Sequence, residues 1–110
     1  MAGFSPVAGF RSRLVLEAPQ ETPDGAGGVT RSYAPIARLW ARIEPLRGDE
    51  GVRAGSLGQA ISHRIALRWR AGLDASMRLR QGARMFAIRS AWDPDERRRR
   101  IVCLCEEIRP

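Results

Sequence analysis

The sequence predicts a mainly β protein: a small antiparallel β-barrel of six or seven short strands with long flexible loops and little helix. Two patterns lead there. Apolar and polar residues alternate with period two in short segments such as 37–44 and 61–69. Turn-forming Gly, Pro and Asp residues interrupt the chain between those segments. Length adds a third constraint, because 110 residues make one domain with one modest core. A sheet of that size must hide its edges by closing or by pairing with another subunit.

Residues 1–11 carry Gly, Pro and Ser without periodicity, so they are expected to form a flexible arm that orders only against a neighbour. Residues 12–110 then form the single β domain. "RLVLEAP" (13–19) is a short apolar run that Pro19 should end, giving the first strand. Residues 19–28 read as a projecting flexible loop, whose tongue is Thr22, Pro23, Asp24, Gly25, Ala26, Gly27 and Gly28. Val29 to Tyr33 reads as a strand. After it, Ala37, Leu39, Ala41 and Ile43 share one face while Arg38, Trp40, Arg42 and Glu44 share the other.

The next stretch projects as a loop over 47–60. Arg47, Gly48, Asp49, Glu50, Gly51, Val52, Arg53, Ala54, Gly55, Ser56, Leu57, Gly58 and Gln59 mix charge with four glycines, and a helical turn there is weakened by each of them. "ISHRIALRW" then alternates with Ile61, His63, Ile65, Leu67 and Trp69 inward and Ser62, Arg64, Ala66 and Arg68 outward. "MRLR", "RMFAIRSAW" and "RRIVCLCEEI" complete the series, separated by Gln81-Gly82 and by "DPDE".

Charge narrows the partners. The net charge is +7, and all 19 basic residues are Arg. The choice of Arg over Lys fits a GC-rich genome, as do 15 Ala and 11 Gly. The excess of positive charge itself points to phosphate or an acidic protein surface. Arg38, Arg42, Arg64, Arg68, Arg78 and Arg80 stand on the polar faces of three segments read as neighbours. They make either a solvated sheet face or a surface that tracks a DNA backbone without reading its sequence. Few aromatics are available to stack single-stranded bases.

Chemistry is sparse. His63 is the one histidine, and its place between Ile61 and Ile65 suits a satisfied core or interface position. Cys103 and Cys105 form C-x-C, which is neither a zinc nor a redox spacing, and two buried free thiols are expected. "GAGG" at 25–28 lacks the Gly-Lys-Ser/Thr of a phosphate loop. Asp93, Asp95, Glu96, Arg97 and Arg98 surround a turn, suiting solvated ion pairs or a docking patch. No catalytic residues, metal or other cofactor are expected. No apolar run spans a bilayer, and "MAGFSPVAGFR" lacks the basic leader and apolar region of a signal peptide, so a cytoplasmic origin is expected.

Taken together, "PDGAGG" (23–28), "WARIEPL" (40–46), "HRI" at His63, "MRLRQGARMFAI" (77–88) and "DPDERRR" with "LCEE" near the end resemble the head–tail joining family of tailed bacteriophages, the head-closure or stopper proteins. The likeness runs from Leu14 to Glu107. It implies a non-enzymatic barrel that assembles as a homo-oligomeric ring below the portal and head adaptor. It also implies packaged double-stranded DNA in the channel, a tail-terminator protein below, and a place in a virion, prophage particle or gene transfer agent. The segment after "EPL", Arg47–Gln59, would be the channel or gating loop, though Gly51 stands where relatives often carry an aromatic. Asp49 and Glu50, repeated around a ring, would repel phosphate at the constriction. The tongue would dock the adaptor or the next subunit, with residues near Thr30 to Tyr33 adding edge-strand hydrogen bonds. Two alternatives remain open: a tail-terminator or tail-completion protein, and a free-standing Arg-rich barrel that binds nucleic acid.

Overall fold

The computed structural model describes residues 9–48 and 60–108. Among these residues there are six strands: β1 (Ser12–Pro23), β2 (Val29–Pro45), β3 (His63–Arg68), β4 (Arg78–Gln81), β5 (Arg84–Trp92) and β6 (Arg100–Ile108). All pairings are antiparallel, and the sheet closes on itself in the order β1-β2-β3-β6-β5-β4. Closure gives each strand of the body a neighbour on both sides.

Alternation decides which residues enter the core. Leu14 and Leu16 of β1, Ile65 and Leu67 of β3, Phe86 and Ile88 of β5, and Cys103 and Cys105 of β6 are all buried in one cluster with Ala41, Leu79 and Ile101. Ala37, Leu39 and Ile43 pack against that cluster, so the inward face expected of β2 is borne out. Ala66 departs from the expectation, since it is buried although its neighbours in the alternation point inward. It lies between Arg42 and Val102 in register, so its single methyl stands between two longer residues.

The first two strands are longer than the sequence pattern suggests. β1 does not stop at Pro19 but continues to Pro23, and β2 is one strand of 17 residues rather than two pieces. The loop expected over 19–28 is therefore mostly a β-hairpin, with residues 24–28 as its turn. The prolines are tolerated for geometric reasons. Pro35 lies beside the register shift between Leu16 and Glu17, where Ile36 is left without a partner on β1. Pro19 lies beyond Glu17, the last β1 residue paired to β4, so β1 has an open side there.

Strand directions give the body two ends. β2 runs from the hairpin turn at Val29 to Pro45, a length of about 50 Å at roughly 3.3 Å per residue. The hairpin and the connection leaving β2 after Pro45 thus lie at opposite ends. Register places the β5–β6 turn at the hairpin end, because Arg100 pairs with Arg68, and Leu67 pairs with Ala41. It places the β4–β5 turn at the other end, where Met85 pairs with Ile108.

Candidate functional site

The hairpin tip is built by one carboxylate. Asp24 Oδ1 accepts from the backbone N–H of Ala26 at 2.8 Å and of Gly28 at 3.1 Å, while the Asp24 N–H donates to the Gly28 carbonyl at 3.1 Å. Those backbone donors, Ala26 first, hold the Asp24 carboxyl below its ordinary pKa. Gly25 and Gly27 sit at φ of 82° and 86°, the left-handed region that a side chain disfavours. Thr22 to Gly28 are exposed throughout, and the tongue is a capped turn on a strand pair rather than an irregular loop.

A charged clamp anchors the hairpin to the body. Glu17 is 4% exposed, yet it lies on the outer face, covered by two arginines of β4. Arg78 Nε donates to its Oε1 at 2.6 Å and Arg80 Nε to its Oε2 at 2.8 Å. Arg78 also stacks on the Tyr33 ring, 4.0 Å from its centroid, which ties β4 to the hairpin's second strand. Burial alone would raise the Glu17 pKa, but the hydrogen bonds and charges of Arg80 and Arg78 outweigh it and the net shift is downward.

The clamp changes the account of the outward arginines. Arg38 and Arg42 on β2 do neighbour Arg64 and Arg68 on β3, but β4 lies beyond β1, so the three segments are not one contiguous patch. Arg78 and Arg80 are committed to Glu17, and Arg64 donates to Glu44 at 3.4 Å. Arg38, Arg42 and Arg68 are exposed. Nothing in the sequence pattern marked Glu17, because its partners lie more than 60 residues away.

Of the loop expected over 47–60, Arg47, Gly48 and Ala60 are exposed, whereas Asp49 to Gln59 lie outside the described residues. The ends of this connection are held together, since the Leu46 N–H donates to the Ser62 carbonyl at 2.9 Å. The β5–β6 turn is also tightly organised. Asp93 accepts from the N–H groups of Glu96 at 3.0 Å and Arg98 at 2.7 Å, both of which adopt positive φ. Asp95 accepts from Arg97 N–H at 3.1 Å and pairs with Arg99 at 2.7 Å. The Arg99 hydrogen bond is the main cause holding Asp95 below its usual pKa. Glu96, Arg97 and Arg98 are left exposed at the hairpin end of the body.

At the other end, His63 is buried as expected. Its Nδ1 lies 2.8 Å from Ser62 Oγ, and its Nε2 lies 3.5 Å from Arg84 Nη2 and 4.0 Å from Glu107 Oε1. Burial first, and Arg84 after the opposing pull of Glu107, lower the His63 pKa. A neutral ring with its proton on Nδ1 satisfies these contacts, because Nε2 can then accept from Arg84. Ser62 Oγ also accepts from the Glu107 N–H at 2.8 Å and faces the Cys105 carbonyl at 3.5 Å. Serine, histidine and glutamate therefore meet, and their contacts tie β3 to β5 and β6. Cys103 and Cys105 are buried free thiols, and burial pushes Cys103 up to about 12 and Cys105 higher still. Among the described residues no cluster of His, Cys, Asp and Glu could hold a metal ion.

These features define a structural β module, one whose polar clusters tie strands together and whose exposed elements stand at its two ends. The chain belongs to the phage head completion protein family, whose model matches residues 6–108. It is thus a structural component of the head–tail connection in a phage-type particle. No match is found among curated proteins. Among solved structures the chain is similar to protein SF1141 from Shigella flexneri 2a, at 25% identity and a TM-score of 0.71, covering 88% of this chain and 91% of that one. It also shares its fold with a chain from the virion of a native gene transfer agent particle, at 23% identity and a TM-score of 0.66, covering 91% and 96% respectively.

Proposed function

We propose that this chain is the head-closure, or stopper, protein of its particle. It assembles as a ring below the portal and adaptor, retains packaged double-stranded DNA, and provides the surface on which the tail, through its terminator protein, docks. The family match over nearly the whole chain carries this reading. The two-ended geometry supports it: a subunit in a closing ring must meet one partner on each side, and the hairpin and the 47–60 connection leave opposite ends of β2. The hairpin tip, Thr22 to Gly28, docks on the adaptor or the next subunit, and the Asp93–Arg98 turn lies toward the same end. The connection over Arg47–Gln59 faces the channel, where Asp49 and Glu50 repel phosphate. Arg38, Arg42 and Arg68 flank the wider bore and meet DNA without reading its sequence.

Electron microscopy with DNA quantitation of particles from a producing strain lacking this gene tests the assignment. Tailless heads that have lost their DNA, beside free tails of normal length, are expected. Free tails of aberrant length would transfer the chain to tail termination. Intact, DNA-filled tailed particles would overturn a particle role and favour a nucleic-acid-binding barrel.

A further inference from the structure

We infer that the outer edge of β2 in the hairpin, from Val29 to Tyr33, receives an extended segment of a different particle protein as an added β-strand. The inference rests on the hairpin being a docking element, and it names the edge used and the chemistry of what is received.

The phase of the hairpin ladder is fixed by its turn. Asp24 N–H donates to the Gly28 carbonyl, so that pair faces inward across the hairpin. In an antiparallel pair, facing residues alternate between bonding each other and pointing their backbone groups outward. The same register then bonds Thr22 to Thr30, Gln20 to Ser32 and Ala18 to Ala34. Pro23–Val29, Glu21–Arg31 and Pro19–Tyr33 direct their backbone groups away from each other.

The two outer edges are therefore unequal. On β1 the outward positions are Pro19, Glu21 and Pro23, and two of these three have no N–H to donate. Proline at such positions is how sheets blunt an edge against pairing. On β2 the outward positions are Val29, Arg31 and Tyr33, each with a free-facing donor and acceptor. β3 pairs with β2 only from Ala41 onward, so no strand among the described residues covers that edge.

Charge and topology identify the occupant. Residues 18–36 hold Glu21, Asp24 and Arg31, a net of 1 − 2 = −1, against +7 for the whole chain. The hairpin is poorly suited to phosphate and well suited to a polypeptide backbone. Among the described residues a second copy is a poor donor, since each strand of its closed body already has a neighbour on both sides and its remaining hairpin edge is the blunted one. The received strand belongs to another protein. It carries no basic residue opposite Arg31, the one charged side chain between Val29 and Ile36, which Glu21 already pairs across the hairpin at 3.6 Å.

Three substitutions in the producing strain test this, scored as the yield of nuclease-resistant, tailed particles. Arg31→Pro removes an outward N–H, Arg31→Ala removes only the side chain, and Glu21→Pro places the same backbone strain on the blunted edge. A drop of about tenfold or more is expected for Arg31→Pro, with the other two within about twofold of wild type. Equal yields for Arg31→Pro and Arg31→Ala would overturn the inference, as would an equal fall in Glu21→Pro. So would loss of self-association by purified Arg31→Pro, because the occupant would then be a second copy. Amide hydrogen exchange on the wild-type chain decides the point without relying on the folding of any variant. Val29, Arg31 and Tyr33 should exchange fast in the purified protein and slowly in assembled particles; fast exchange in both would refute it. Each failure leaves the gene-deletion phenotype, and so the closure assignment, standing.

Discussion

Replacing Glu17 with Gln keeps the size of the side chain and removes the charge that Arg78 and Arg80 share. Glu17 accepts two charge-assisted hydrogen bonds at 2.6 and 2.8 Å while its side chain is 6% exposed. Such bonds contribute about 1.5–3 kcal/mol each. The two arginine side chains are 30% and 37% exposed, so water screens the pair and will partly rescue the arginines, which places the pair at the low end. The expected loss is therefore about 2–3 kcal/mol, or roughly 8–12 °C in Tm for a domain of this size. Thermal and urea unfolding of the purified variant measure it, with the urea midpoint falling and the slope unchanged. Arg80→Gln should cost less, and the double variant should lose less than the sum of the two. A fall in Tm under about 2 °C for Glu17→Gln would refute the view that this clamp holds the hairpin root to β4.

Two further outcomes follow from the buried groups at the other end. Cys103, with its pKa near 12, and Cys105 should resist a thiol reagent at pH 8 until the chain unfolds, so labelling should track unfolding; stoichiometric labelling within seconds of mixing would contradict their burial. His63 has a folded pKa below its ordinary 6.5, so below that pH the unfolded chain binds more protons than the folded one. Stability should accordingly fall as pH drops through 6.5 toward the folded value. His63→Gln should flatten that slope between pH 7 and 5.5, and an unchanged slope would show that His63 is not its source.

Strand identity was legible because each strand has one buried face, and alternation records it directly. "RMFAIRSAW" maps onto β5 residue for residue, and Leu39, Ala41 and Ile43 face the core as their spacing requires. The hairpin was not legible, because Pro19 reads as a break and Val29 to Tyr33 as a strand separate from the one that follows. Whether a proline breaks a strand depends on whether its nitrogen faces a partner, and that is a property of the ladder rather than of the chain. The arginine pattern misled for a related reason. Sequence places Arg78 and Arg80 after Arg64 and Arg68, but closure of the sheet carries β4 to the far side of β1 and onto Glu17. Asp24 and Asp93 were recognisable as turn residues, yet the number of N–H groups each carboxylate gathers depends on a path through left-handed backbone that composition alone does not reveal.

The continuity of β1 and β2 has a mechanical meaning. Both strands pass from the hairpin into the body without a joint, and there each is flanked by a further strand, β4 on one side and β3 on the other. Tension applied at residues 24–28 along the strand axes meets rows of hydrogen bonds loaded in parallel, which must shear together rather than unzip singly. A pull of the kind exerted by a pressurised particle or a docking tail would therefore be shared around the closed sheet before any one bond failed.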